Sequence, residues 1–141
     1  MNPKRDQAPI VLVVEDDPDV RDFAEFIIAG DLGFRTLAAA TAKEAILLLE
    51  EAEIIDVMFT DITLPDGPAA MDGLELARKA VELHPRLRVI YTTGGGGTDS
   101  ITRRFVEDGT FLPKPYTINQ LVRALSSRPA VNANRIIVTN I

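Results

Sequence analysis

The chain has 141 residues, of which 46% are hydrophobic and 26% charged, with a net charge of −6 and no cysteine. This length and balance fit one globular domain with a hydrophobic core, and the lack of cysteine excludes disulfides and thiolate metal sites. The acidic excess argues against nonspecific nucleic-acid binding, and no apolar run approaches the ~20 residues of a membrane span. Because residues 1–9 hold no apolar signal stretch, we expect a cytoplasmic protein.

Five strands are predicted from short apolar runs. The first run is continuously apolar and the third almost wholly so, which is typical of strands covered on both faces, whereas the second run is weaker. In chain order, the predicted strands are 10–14, 34–39, 54–60, 87–92 and 110–113.

Five helices are predicted to follow these strands. Pro18 suits a first helical turn, and Gly30 or Gly33 can end that helix. Thr41 and Glu44 form a capping-box pattern for the second helix. The start signals of the remaining helices are Asp72, then Thr98 or Asp99 for a helix containing Phe105, and finally Thr117. Strands alternating with helices predict βαβ units, and right-handed crossovers then place helices on both faces of a doubly wound parallel sheet.

Residues suited to a phosphate-and-metal site follow four of the predicted strands. Glu15 and Asp16 follow the first strand, Asp61 the third, Thr93 the fourth and Lys114 the fifth. Carboxyl ends of parallel strands share one edge of a sheet, so these side chains are expected to converge. A cation relieves the repulsion between crowded carboxylates, and Mg²⁺ prefers oxygen ligands. A carboxylate can also attack a phosphoryl group, so the pattern favours phosphoryl transfer.

The segment 127–141 contains Pro129 and two asparagines ahead of an apolar end. It fits a disordered tail, an added edge strand or a partner-binding strand, and the pattern alone does not choose among them.

Five segments together resemble the receiver domain of two-component response regulators. They are VLVVEDDPDVR (11–21), VMFTDITLPDG (57–67), MDGLELARKA (71–80), RVIYTTGG (88–95) and FLPKPY (111–116). The resemblance covers about 10–125 and implies a flavodoxin-like α/β fold, with a five-stranded parallel sheet of order 2-1-3-4-5 and five helices. It implies a stand-alone receiver, with an extension at 1–8, the receiver domain at 9–126 and a tail at 127–141 that is too short for an output domain.

The resemblance also implies roles for individual residues. Asp61 matches the phosphoacceptor, and Lys114 matches the lysine that pairs with the phosphoryl group. Glu15 and Asp16 match the acidic pair that binds Mg²⁺, together with Asp61. Thr63 matches the residue whose backbone carbonyl binds the same ion.

Further matches concern the conformational switch. Thr93 matches the switch hydroxyl, and Gly94 matches the small residue that leaves the phosphate accessible. Phe111 matches the aromatic switch residue, and the Lys114–Pro115 peptide bond is expected to be cis.

The function implied is that of a phosphoacceptor. Asp61 would receive a phosphoryl group from the phosphohistidine of a sensor histidine kinase or histidine phosphotransfer protein that docks near the first helix. Phosphorylation would reshape a surface formed by the fourth predicted helix, the fifth strand and the last helix. This surface would bind a downstream protein. No catalysis beyond its own phosphorylation and dephosphorylation is expected, and neither nucleic acid nor membrane is an expected partner.

The chain departs from the family pattern in two loops. Residues 67–70 look like an insertion, and four glycines follow Thr93.

Other hypotheses about function remain. A haloacid-dehalogenase-like phosphatase would need a second aspartate where Thr63 stands. A receiver-like adaptor that works without phosphorylation is a further alternative. His84, the single histidine, is also weighed as a phosphorelay residue, but it lies away from the acidic edge.

Overall fold

The computed structural model describes residues 8–64, 71–94, 104–107, 109–126 and 137–138. Within these residues, the strands are β1 (Ile10–Val14), β2 (Arg35–Ala39), β3 (Val57–Asp61), β4 (Arg88–Thr92), β5 (Thr110–Phe111) and β6 (Ile137–Val138). The helices described are α1 (Pro18–Asp31), α2 (Ala42–Glu51), α3 (Gly73–Leu83) and α4 (Ile118–Ser126).

All strand pairs are parallel, and the sheet has the order β2-β1-β3-β4-β5-β6. The predicted order 2-1-3-4-5 is therefore confirmed. The sixth strand comes from the tail, where Ile137 pairs with Thr110 and Val138 with Phe111. Of the three possibilities for the tail, the structure has the added edge strand. No helix in the described part of the chain is long and apolar enough to cross a membrane.

Four strands are shorter than their apolar runs predict: β2 and β4 each begin one residue late, and β3 and β5 each lose two residues in length. β3 begins at Val57 rather than at residue 54, although Ile55 is buried. The apolar residues before Val57 therefore reflect burial under the helices, not pairing in the sheet. β5 ends at Phe111, two residues before the predicted limit, although the N–H of Leu112 still donates to the carbonyl of Tyr91 and that of Lys114 to the carbonyl of Thr93. Pro113, between them, has no N–H to donate.

The helix predicted between β4 and β5 falls mostly on residues 98–103, which lie outside the described ranges. Phe105 is described, and it lies in a turn and not in the predicted helix. The insertion at 67–70 and Gly95–Gly97 of the glycine run also lie outside the described residues.

The predicted capping residues set the starts of the described helices. Thr117 and Gln120 bond reciprocally at the start of α4, each accepting the backbone N–H of the other. Asp72 accepts from the N–H of Glu75 at the start of α3. In α1, Pro18 occupies the first turn, and Gly33 follows the helix with a φ of 68°. This left-handed backbone conformation is the reason that residue 33 is a glycine.

The sheet is covered on both faces by its helices. Met58, Val89 and Tyr91 belong to a core cluster shared with α2 and α3. Phe59 and Ile90 belong to a second cluster, which is shared with α1 and α4. Successive strand residues thus alternate between the two clusters, as the period of two requires. This alternation also determines which face each polar residue at the strand ends occupies.

Candidate functional site

The three predicted acids meet at one edge of the sheet. Glu15 and Asp16 follow β1, and Asp61 is the last residue of β3. Carboxylate oxygens of the three residues all lie within 4.8 Å of one another. Glu15 is 4% exposed and Asp61 6%, whereas Asp16 is exposed to solvent. Three hard oxygen donors at this spacing, one of them open to solvent, fit a divalent cation such as Mg²⁺.

Lys114 contacts two of these acids at once. Its Nζ lies 2.8 Å from Oε1 of Glu15 and 2.8 Å from Oδ2 of Asp61. With all groups ionised, one ammonium leaves the three carboxylates with two uncompensated negative charges, which equals the charge of one divalent cation. The balance of charge therefore supports the same conclusion as the ligand set.

Burial changes the proton affinity of both partners in this contact. It raises the pKa of Glu15 above its ordinary value, although the hydrogen bond from Lys114 opposes that change. Burial alone would lower the pKa of Lys114, but hydrogen bonds and attraction from Asp61 and Glu15 outweigh it and raise the pKa. The ammonium form of Lys114 is therefore held at neutral pH.

The carboxylate of Asp61 is held at both oxygens. Oδ1 accepts the backbone N–H of Thr63 at 2.9 Å, and Oδ2 accepts from Lys114. On the backbone side, the N–H of Gly73 donates to the carbonyl of Ile62 at 2.8 Å. A β-carbon at Gly73 would lie 2.1 Å from the carbonyl oxygen of Asp61, so this approach requires glycine.

Thr93 lies just past the end of β4, and it is buried. Its carbonyl oxygen accepts the backbone N–H of Lys114 at 3.1 Å, which joins the predicted switch residue to the lysine loop. Gly94 is exposed, and a β-carbon there would meet no atom within 4 Å. The Lys114–Pro115 bond is cis, as predicted.

Phe111 is buried in this structure, within an aromatic cluster. Its ring centroid lies 6.0 Å from that of Phe105, which stacks on Tyr91 at 4.0 Å. The hydroxyl of Tyr91 accepts the N–H of Val106 at 2.9 Å. The predicted switch side chain therefore packs against the turn that precedes β5.

Sequence reasoning missed two residues that shape this region. Arg21 donates from Nη1 to the backbone carbonyl of Glu15 at 2.9 Å, so α1 holds the acidic loop in place. Tyr91 holds the turn before β5 through the hydrogen bond described above. Neither stands out in the sequence, because an arginine on a helix and a tyrosine in a strand are ordinary. His84 lies apart from the site, with Nε2 2.7 Å from the carbonyl oxygen of Leu49.

Comparison with known proteins agrees with this geometry. Residues 11–126 match the family model of the response regulator receiver domain. The C4-dicarboxylate transport regulator DctD of Rhizobium meliloti is 33% identical over 135 residues, which cover 94% of this chain and 27% of DctD. The receiver protein CpdR of Brucella abortus is 32% identical over 119 residues, which cover 82% of this chain and 92% of CpdR. The chain thus spans about a quarter of DctD and nearly all of CpdR.

Solved structures show the same fold. A response regulator receiver protein from Sinorhizobium medicae has a TM-score of 0.75 and 30% identity, covering 84% of this chain and 92% of its own. A CheY-like receiver domain from Methanospirillum hungatei has a TM-score of 0.71 and 28% identity, with coverages of 84% and 91%. The chain belongs to the response regulator receiver domain family of two-component signalling. Receiver domains are phosphoacceptor modules that bind Mg²⁺ and interact with histidine kinases or phosphotransfer proteins and with downstream targets.

Proposed function

We propose that Asp61 accepts a phosphoryl group from a phosphohistidine on a sensor kinase or phosphotransfer protein. The contact of Lys114 with both Asp61 and Glu15, each at 2.8 Å, is the observation that carries this proposal. In this contact, the carboxylates of Asp61 and Glu15 and the ammonium of Lys114 form one hydrogen-bonded group. Such a group provides the positioning and charge neutralisation that phosphoryl transfer requires.

The transfer begins with a carboxylate whose orientation is already set. One oxygen of Asp61 forms the new O–P bond as the N–P bond of the phosphohistidine breaks, and the imidazole keeps the electron pair of that bond. Lys114 then holds one product oxygen, and the hydroxyl of Thr93 donates to another. The residues that would hold Mg²⁺ are Glu15, Asp16, Asp61 and, through its backbone carbonyl, Thr63. The ion supplies neutralisation of charge on the phosphoryl oxygens.

The phosphodonor docks beside α1 in this proposal. Phe23 is 42% exposed and Phe26 72% exposed on that helix. The ring of Phe23 lies 6.1 Å from that of Tyr116, two residues after Lys114. An exposed apolar surface of this kind is typical of a protein contact. Phe23 and Lys114 line one pocket at this surface, and Lys114 bonds to Asp61.

The output depends on Thr93 and Phe111. Movement of Thr93 toward the phosphoryl group changes the packing around Phe111, and this reshapes the surface formed by β5, α4 and the segment before β5. That surface binds the downstream protein. The added charge of the phosphoryl group thereby shifts the equilibrium between two packing arrangements of this region.

We further propose that the receiver domain spans 9–126, with 1–8 as an extension and 127–141 as a tail that contributes β6. Its chemistry is its own phosphorylation and dephosphorylation, in the cytoplasm. The match of the family model to 11–126 supports these limits.

Labelling by a small phosphodonor, such as acetyl phosphate or phosphoramidate, tests the role of Asp61. The chain with Mg²⁺ is expected to gain one phosphoryl group that alkali or hydroxylamine removes, as for an acyl phosphate, and Asp61→Asn is expected to gain none. Asp31→Asn, at the exposed end of α1, is the matched control and should be labelled like the unmodified chain. Full labelling of Asp61→Asn would show that another residue is the acceptor.

A further inference from the structure

A buried hydroxyl at the end of β4 has no hydrogen bond to the described part of the chain. Thr92 is 2% exposed, and its Oγ1 contacts no donor or acceptor among these residues. Buried hydroxyls are nearly always paired, because an unpaired one loses its hydrogen bonds to water without replacement. A valine would fill the same place in a strand without that loss. The hydroxyl therefore calls for an explanation other than strand propensity.

Thr92 is the direct neighbour of Asp61 in the sheet. The two residues are partners in the register of β3 and β4, and the N–H of Ile62 donates to the carbonyl of Thr92 at 2.8 Å. Parallel strands lie about 4.8 Å apart, and residues in register project from the same face. The next residue, Thr93, projects from the opposite face.

The core clusters identify the face that Asp61 and Thr92 share. Phe59 and Ile90, two residues before Asp61 and Thr92, both belong to the cluster under α1 and α4. By the alternation of strand residues, Asp61 and Thr92 extend this face to the edge of the sheet. The unpaired hydroxyl is thus placed beside the proposed acceptor carboxylate.

In the present structure, both oxygens of Asp61 already have donors. Oδ1 accepts from the N–H of Thr63 and Oδ2 from Lys114. Esterification of one oxygen changes this arrangement, because the negative charge moves to the phosphoryl group and attracts Lys114 toward it. The acyl phosphate is then bulkier than the carboxylate and presents additional acceptor oxygens.

We propose that Thr92 is a second hydroxyl of the phosphoacceptor site, a positioning residue whose Oγ1 donates a hydrogen bond to the esterified Asp61 side chain. This inference rests on the proposed function of Asp61. The hydroxyl is unpaired before phosphorylation and paired after it, so it favours the phosphorylated state. Thr92 differs from Thr93 in projecting from the face of the sheet under α1 and α4, which is the face that Asp61 shares.

Two substitutions separate the hydroxyl from the shape of the side chain. Thr92→Val keeps the shape and removes the hydroxyl, and Thr92→Ser keeps the hydroxyl and removes a methyl group. The probe is beryllofluoride with Mg²⁺, which stands in for the phosphoryl group, and its dissociation constant is measured by titration. Urea unfolding without the probe gives the stability of each variant.

Loss of the hydroxyl is expected to weaken probe binding without lowering the stability of the unbound protein. Thr92→Val should bind beryllofluoride about twofold to tenfold more weakly, the range that one net hydrogen bond implies. Its unfolding midpoint without the probe should be unchanged or higher, because the buried unpaired hydroxyl is gone. Thr92→Ser should bind the probe like the unmodified chain and unfold at lower urea.

Equal probe affinity in Thr92→Val and the unmodified chain would overturn the inference, as would an equal loss in both variants, since that would indicate packing alone. The proposed function fails separately, if the unmodified chain itself does not bind beryllofluoride with Mg²⁺. The two failures are therefore distinguishable in one set of titrations.

Discussion

The α-carbon of Gly73 lies so close to Asp61 that a β-carbon there would stand 2.1 Å from the Asp61 carbonyl oxygen. The next nearest atoms, at 2.8 and 2.9 Å, also belong to the backbone of residues 61 and 62. Backbone atoms at the end of a central strand do not move aside as a flexible side chain does. The start of α3 and the proposed acceptor are therefore joined by a contact that only glycine permits.

Gly73→Ala is expected to displace Asp61 and to destabilise the fold by about 1–3 kcal/mol, as overpacking does. Urea unfolding and beryllofluoride titration measure the two effects. Gly30→Ala is the matched control, because Gly30 lies in α1 and a β-carbon there meets nothing within 4 Å. Alanine suits a helix better than glycine, so the control should be stabilised by up to about 1 kcal/mol. An undisturbed Gly73→Ala variant would contradict the close approach.

Lys114→Met is expected to slow phosphorylation by at least about tenfold, because a desolvated charge on the phosphoryl oxygens loses its partner. Mg²⁺ binding to the same variant should not weaken, since removal of the ammonium leaves the carboxylates more negative. Lys79→Met, on the exposed side of α3, is the control. Weaker Mg²⁺ binding in the variant would show that Lys114 organises the metal ligands and does not only balance their charge.

The same variant is expected to lose stability in a pH-dependent way. Without Lys114, the buried carboxylate of Glu15 has no ammonium partner at neutral pH. Burial already raises the pKa of Glu15, so lowering the pH protonates this group early and relieves the unpaired charge. The stability difference between variant and unmodified chain should therefore shrink as the pH falls. Urea midpoints at pH 7.5 and pH 5 measure it, and a constant difference would argue against the pairing.

The two tyrosines of the chain provide a test of burial at alkaline pH. Burial raises the pKa of Tyr91 to about 12 and that of Tyr116 to about 12. Phenolate absorbance at 295 nm should thus stay low in the native protein at pH 10, where an unfolded chain is about half titrated. A phenolate step near pH 10 in the native protein would show that at least one ring is accessible.

The same shifts predict how stability changes at high pH. The native state holds these phenolic protons more tightly than the unfolded chain, so their contribution is complete below pH 10 and is lost as the pH rises toward 12. The loss is on the order of 2 kcal/mol for each tyrosine. Lys114, whose pKa is also raised, adds to the same trend. Urea unfolding at pH 8, 10 and 11 measures the decline.

Arg88 is expected to hold the C-terminal end of α4. Its Nη1 lies 3.2 Å from the carbonyl oxygen of Leu125, and its Nη2 lies 3.1 Å from that of Ala124. These carbonyls have no partner within the helix, and a cation near them also interacts well with the helix dipole. Arg88→Met should lower the free energy of unfolding by about 1–3 kcal/mol, against little change for the exposed Arg86→Met. Equal midpoints in urea would contradict this role.

Much of the fold follows from local patterns in the sequence. Thr41, Asp72 and Thr117 cap the helices that they were predicted to begin, because a capping side chain bonds to N–H groups only two or three residues away. The limits of β3 and β5 were less predictable. An apolar run reports burial, and burial continues at Ile55 where strand pairing has not yet begun.

The sequence by itself determined which residue types stand at the strand ends, since each follows an apolar run that a parallel sheet brings to one edge. Only the tertiary structure decided which of them touch. Lys114 bonds to Asp61 across 53 residues of chain, and Tyr91 bonds to Val106 across 15 residues. It also left the Thr92 hydroxyl without a hydrogen bond to the described part of the chain, at the position in register with Asp61. These contacts depend on the register of neighbouring strands and on helix packing, which are set by the whole core and not by residues adjacent in sequence.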